Sequence, residues 1–468
     1  MNLSWFGWGR ECTARKRHVR VTPWCAVAKR LELRCTGVQS YSSPVDNVPS
    51  GNRLTEPRIR QGLLVRTAGD TITAVAPMSS SLPILVACWA VLSVAQAAPF
   101  TPQTDAQVLE RVPARQSDPA AREMQALRQT WRAQPQNLSA ATALAWRYQA
   151  EVAATGDPRY MGYIQATLQP WWTLPDPPAE VRVLRAVILQ FDHQFEPALV
   201  DLAAVLGAQP DHAQALAWQL AIQMVQANYP AAKVSCERLA PLVSTLLGAA
   251  CKAQVQAMTG QAQSAAQSLR SALNAAGPVD VSERLWSLTR LAELEAHRGD
   301  KPAAQAAFEQ ALALGQEDVY LQAAYADFLL DEGRAADAVA QLKDRSRADV
   351  LLLRLALAAK AAGDARSTPA IRELQARFDA ARLRGDTSHR KEESRHALAL
   401  QGDVKLALKL ASANWAEQRE PADARTLLEA ALAARDAAAA QPVLQWLRES
   451  GFDSALLKPL VQQLKALP

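Results

Sequence analysis

Apolar residues in this chain recur with a helical period, and short polar turns break that period at regular intervals. Gly299-Asp300 and Gly333-Arg334 mark two such turns, 34 residues apart. After each turn, small and large residues follow in the same order: Ala304, Phe308 and Ala311 in one copy, Ala338 and Leu342 in the next. Extending the pattern both ways places turns at Gly156, His193, Ala227, Gly260, Gly299, Gly333, Gly363, Gly402 and Arg435. Their spacings are 37, 34, 33, 39, 34, 30, 39 and 33. An apolar-periodic helix precedes each turn and an alanine-rich one follows it. Gly-Asp at Gly156, Gly299, Gly363 and Gly402 reads as a helix stop followed by an N-capping acid. The predicted element is a helical hairpin, repeated.

One hairpin cannot bury its own apolar face, so successive copies must stack. The predicted fold class is all-α: an α-α superhelical solenoid with a concave groove, spanning residues 120–450. The 30- and 39-residue spacings predict irregular stacking around Gly363. The stretch holding Trp171-Trp172, Pro175, Pro177 and Pro178 reads as a longer connection between copies. Residues 451–468, with Leu456, Leu457, Leu460, Val461 and Leu464, predict a last amphipathic helix that caps the end of the stack.

The pattern resembles the tetratricopeptide repeat (TPR), of the kind found in exported bacterial proteins. In that family the second helix carries Ala, a large residue four later, Ala three after that, and a closing Pro. After His193 the order is Ala198, Leu202, Val205 and Pro210, with Val205 departing from the family's second Ala; after Gly299 it is Ala304, Phe308 and Ala311. The first helix of the family pairs a large residue with a small one, as Leu291-Ala292 and Tyr325-Ala326 do here. The resemblance is tightest between His193 and Leu342. It implies a scaffold for protein–protein interaction with a protein or peptide client, and neither catalysis nor a cofactor.

Composition supports helix and sharpens the choice of partner. The chain has 468 residues, is 49% hydrophobic and holds only 19 Gly, so core material is ample. Its net charge of +5 is unevenly spread. The first 97 residues carry 12 Lys/Arg against 5 Asp/Glu, and the remainder carries 39 against 41. The solenoid therefore has no global electrostatic reason to bind nucleic acid.

Residues 1–77 show no helical or strand period and read as unstructured chain or as a gene start placed too far upstream. Residues 78–97 read as a secretory signal: the uncharged run 82–94 is too short to span a membrane comfortably and ends in Ala95-Gln96-Ala97. Cleavage is expected between Ala97 and Ala98, with residues 98–119 a linker, and the expected destination is the bacterial periplasm. The run preceding Cys88 (Leu85-Val86-Ala87) also admits a lipobox reading. Lipidation there, or retention of the leader, would make the chain a membrane-tethered accessory for envelope assembly or secretion. Only then would a membrane be a partner.

Candidate site residues fall in three groups. Within 382–396, Arg384, His389, Arg390, Lys391, Arg395 and His396 could form a cationic patch on the groove wall. The alternative is a solvated helix start laced by short-range ion pairs. Trp171 and Trp172 cannot both face one core, so one is expected to be exposed and available to a partner. Cys236 and Cys251 lie nearly equidistant from a turn near residues 242–244, on consecutive antiparallel helices. They read either as a disulfide, compatible with export, or as two small buried residues. The other tryptophans read as core. No HExxH, CxxC, GxSxG or phosphate-cradling glycine loop occurs, so no metal or catalytic site is expected.

Overall fold

The computed structural model describes residues 119–467; the signal-like segment, Cys88 and the junction between Ala97 and Ala98 lie outside them. Among the described residues every regular element is helical. Helix α1 (Pro119–Ala133) leads into the first hairpin, α2 (Leu138–Thr155) with α3 (Arg159–Thr167), and a single turn, α4 (Gln169–Trp172), follows. Next come α5 (Ala179–Phe191) with α6 (Phe195–Ala208), α7 (Ala213–Val225) with α8 (Tyr229–Leu239), and α9 (Thr245–Ala257) with α10 (Ala262–Ala275). The fifth and sixth pairs are α11 (Val281–Arg298) with α12 (Lys301–Leu312) and α13 (Val319–Asp331) with α14 (Ala335–Leu342). The last three are α15 (Asp349–Ala362) with α16 (Ser367–Leu383), α17 (Arg390–His396) with α18 (Val404–Glu417), and α19 (Pro421–Ala433) with α20 (Gln441–Ser450). Helix α21 (Lys458–Lys465) ends the described chain. The architecture is a TPR-like solenoid of stacked hairpins.

Each of the nine predicted turn residues is left-handed, with φ between 54° and 81°. Glycine meets that conformation without a Cβ clash. The Gly-Asp turns work as the sequence implies. Gly299 ends α11 at φ 81°, and the Asp300 carboxylate accepts the Ala303 N–H at 3.1 Å to start α12. His193, Ala227 and Arg435 hold the same conformation without being glycine. The uneven spacings have simple causes: α14 is only eight residues long, whereas α16 runs for 17 and a π-helical turn, Ala397–Gln401, separates α17 from α18.

Packing inside and between hairpins follows the small/large order. Ala292, Ala304, Ala311, Ala326 and Ala338 are fully buried and let helices approach closely. Phe308 reaches into the next hairpin, its ring 5.4 Å from both Tyr325 and Phe328. The cysteines lie across the α8–α9 connection with sulfurs 2.01 Å apart and Cα atoms 6.0 Å apart. Trp171 and Trp172 are both half-buried against the core, and the Trp172 carbonyl accepts from Arg185 at 2.9 Å. Neither indole is exposed, because α4 folds the pair back onto the stack.

The predicted open groove is closed. The solenoid curves until the turns of its first five hairpins meet the loops of the later ones, along a line called the seam below. An added Cβ at Gly156 would lie 2.7 Å from the Ala348 Cβ, and one at Gly260 would lie 3.2 Å from the Gly451 carbonyl. The Arg419 N–H donates to the Val225 carbonyl at 2.8 Å, and the Ala455 N–H to the His297 carbonyl at 2.7 Å. Trp446 donates to the Tyr229 hydroxyl at 3.0 Å. One continuous core joins the early hairpins to Ala407, Trp415, Trp446, Phe452 and Leu464, while α13–α15 pack around a separate cluster. Helix α21 packs on α19 of the last hairpin, where the cap is predicted, but it begins only at Lys458, and the residues before that dock on the fifth hairpin. Amphipathicity dictates that an apolar face is covered but not which surface covers it.

Two measurements check these assignments. Gly333, with open space around it, should tolerate Gly333→Ala at a cost of about 1 kcal/mol in denaturant unfolding. Gly156→Ala adds the Ala348 clash, should cost clearly more, and should be partly rescued by Ala348→Gly. Alkylation without reductant should leave Cys236 and Cys251 unmodified, and reducing them should cost about 3 kcal/mol in the chain-entropy model.

Candidate functional site

Closing the seam shapes a partly open cavity of about 1410 Å³, lined chiefly by the inner ends of first helices. Its two sectors differ in chemistry. The ends of α2, α5, α7 and α9 contribute Val152, Phe191, Met224, Val225 and Met258, and the docked C-terminal segment adds Phe452. Helices α13, α15, α16 and α17 contribute charge: Asp327, Arg354, Arg377, Lys391 and Glu392, with Arg384 just beyond α16. First helices must end apolar in the early copies because the same residues also serve the core shared across the seam.

The charged sector is a network of long-range pairs. Asp327 accepts from Arg354 at 2.7 Å and from Arg395 at 2.9 Å. Burial alone would raise its pKa, but the two guanidiniums outweigh it and hold the carboxyl well below the usual carboxylate range. Lys391 lies 3.3 Å from the buried Asp423. Burial would ease proton loss from this ammonium; Asp423, Glu392 and Glu420 reverse that and raise its pKa. Arg390 pairs with Glu417, and Arg425 lies 2.7 Å from Asp331.

These contacts correct the reading of 382–396 as a cationic patch. Arg390 is neutralised by Glu417 of its own hairpin, and Lys391 and Arg395 by Asp423 and Asp327 of other copies, up to 68 residues away. His389 sits 3.7 Å from Asp386. His396 is buried with its ring edge-on to Phe378 at 5.4 Å. Of the six candidate residues only Arg384 is exposed. The stretch is no solvated helix start either, since Glu392, Glu393 and Ser394 are buried with His396. Residues 388–396 lack hydrophobic side chains because they pack into a polar wall. Of the six, Arg384, His389 and Lys391 line the cavity; Trp171 and Trp172 do not.

A further cluster was overlooked in the sequence. The Tyr320 hydroxyl donates to Glu293, while Arg290 lies 3.0 Å from Glu293 and 4.4 Å from the centre of the Tyr320 ring. Burial raises the Glu293 carboxyl, and Arg290 partly offsets this. The available signal was two charges three residues apart in an otherwise apolar stretch of α11. Among the described residues no group of three or more His, Cys, Asp or Glu is placed to hold a metal. No described helix is long and apolar enough to cross a membrane. The arrangement suits a ligand with one apolar and one ionic side.

No family model matches the chain, and no curated protein does. Among solved structures it is similar to the human IFIT1 dimer with m7Gppp-AAAA, at 13% identity and a TM-score of 0.41, over 74% of this chain and 86% of that one. It is also similar to the P58(IPK) TPR domain, at 13% identity and a TM-score of 0.19, over 71% and 94%.

The network predicts an asymmetry in stability. Asp327→Asn strands two largely buried arginines and should cost about 3 kcal/mol in denaturant unfolding. Asp337→Asn, which removes the surface pair with Arg334, should cost about 0.5 kcal/mol or less.

Proposed function

We propose that this chain is an exported, non-catalytic scaffold that holds a segment of a protein client inside its lumen. The observation that carries this reading is the two-sector cavity, mostly apolar toward hairpins one to four, where Glu151, Asp157 and Arg159 are the charged exceptions, and mostly ionic toward hairpins six to eight. An amphipathic segment satisfies both sectors at once. A helix about 10–12 Å across would fill the volume over roughly 8–12 residues. Nucleic acid is the poorer fit. The cations nearest the charged wall are paired with carboxylates, and from Ala98 onward Asp/Glu slightly outnumber Lys/Arg, 41 to 39.

A photo-reactive residue tests the lumen directly. Placed at Met258, which lines the cavity, it should form one defined peptide adduct in envelope fractions, unchanged by nuclease; placed at Val200, 68% exposed, it should not. No adduct at Met258, or one lost on nuclease treatment, would count against a protein client. For export, the mature protein is expected to begin at Ala98. A blocked terminus at Cys88 would instead favour the membrane-tethered accessory.

A further inference from the structure

We propose that residues 452–457 form a latch over the lumen that is closed by His297 and released by acid. Phe452, Asp453 and His297 all line the cavity, so this contact sits on its rim. His297 makes three of the contacts, while Phe452 also packs on Trp446 at 5.4 Å. The His297 carbonyl accepts the Ala455 N–H at 2.7 Å, its Nδ1 lies 2.9 Å from the Ser454 Oγ, and its ring meets Phe452 edge-on at 5.2 Å. Two residues along, Gly299 comes so close to Ala455 that an added Cβ would lie 3.1 Å from the Ala455 Cβ.

Hydrogen-bond stoichiometry requires the closed latch to hold a neutral imidazole. The Ser454 Oγ already accepts the Leu456 N–H at 3.2 Å and the Leu457 N–H at 3.3 Å. Those two donors use both lone pairs of the hydroxyl, so its own proton is left to donate, and His297 Nδ1 must accept it. Protonated at Nδ1, the ring becomes a third donor to an oxygen with no lone pair left, and Ser454 itself is buried.

The charges around the ring do not compensate. From α19 comes Arg425, itself a cation, held by Asp331 and Glu429. On its own helix, Glu293 is taken by Arg290 and Tyr320, and Arg298 by Glu295. Asp453, on the latch, is paired with Lys458, and Asp300 caps α12. Burial, reinforced by Arg425, pushes the imidazole down to about 4. A histidine freed from the latch titrates near 6.5. The closed state is therefore at full strength above that value and weakens as pH falls from 6.5 toward 4. The latch's bearing on client entry rests on the lumen being the client site; its acid release does not.

Hydrogen exchange on the full chain, without client and corrected for intrinsic rates, tests the latch. Protection across residues 452–457 should be on the order of tenfold lower at pH 5 than at pH 7, while α9 keeps its protection. His297→Gln, which keeps a hydrogen-bonding group and does not titrate, should show equal protection at the two pH values. Wild-type protection that ignores pH overturns the proposal, as does an equal loss in α9 or an unchanged pH response in the variant. Should the variant fail to fold, the wild-type ring decides by NMR titration: a pKa near 4 supports the latch and one near 6.5 overturns it.

Discussion

Everything particular to this molecule depends on backbone meeting backbone at the seam. A solenoid of hairpins is ordinarily held by nearest neighbours, and its ends are independent of one another. Here Gly156 against Ala348, Gly260 against Gly451, and the two main-chain hydrogen bonds from Arg419 and Ala455 tie early turns to late loops. Such approaches tolerate almost no added volume, so the curvature of the stack is pinned where these residues touch. The lumen exists because that curvature completes. The core records the same fact, running from the early hairpins directly into the last two while the sixth and seventh pack around clusters of their own.

Much of the fold could be read from the chain because its signals are local. A left-handed residue between two helices is announced by glycine and by the capping acid after it. Even His193, Ala227 and Arg435, which lack that signal, were located by the period alone. The positions that must be small, such as Ala292 and Ala304, were legible because helices in one hairpin touch at a fixed register. Curvature was not legible. It accumulates from small rotations between copies that no residue pattern states, so a closed seam and an open groove share one periodicity. For the same reason residues 452–457 read as part of an end cap: only the helix after them, α21, packs on the last hairpin, while they dock on the fifth.

The site was legible only in fragments. The charges between residues 382 and 396 stand out in the sequence, but their partners do not, since Asp327 and Asp423 are brought to them by the stacking of the later hairpins. A run of unpaired cations on paper is a neutralised wall in space. Arg290, Glu293 and Tyr320 were hidden for the opposite reason, each looking ordinary until two helices aligned them. The cysteines lay between these cases, because antiparallel neighbours with a known turn constrain their heights without fixing their chemistry.

The shared core has a consequence for synthesis. A chain leaves the ribosome from its N-terminal end, and most solenoids can finish each hairpin as it emerges. In this protein the face that the early hairpins present to Trp415, Trp446 and Phe452 stays uncovered until the last copies are made. Its first half is thus a nascent species with exposed apolar surface, in need of shelter from aggregation for most of its translation. Loss of the final hairpin would return the finished protein to that state.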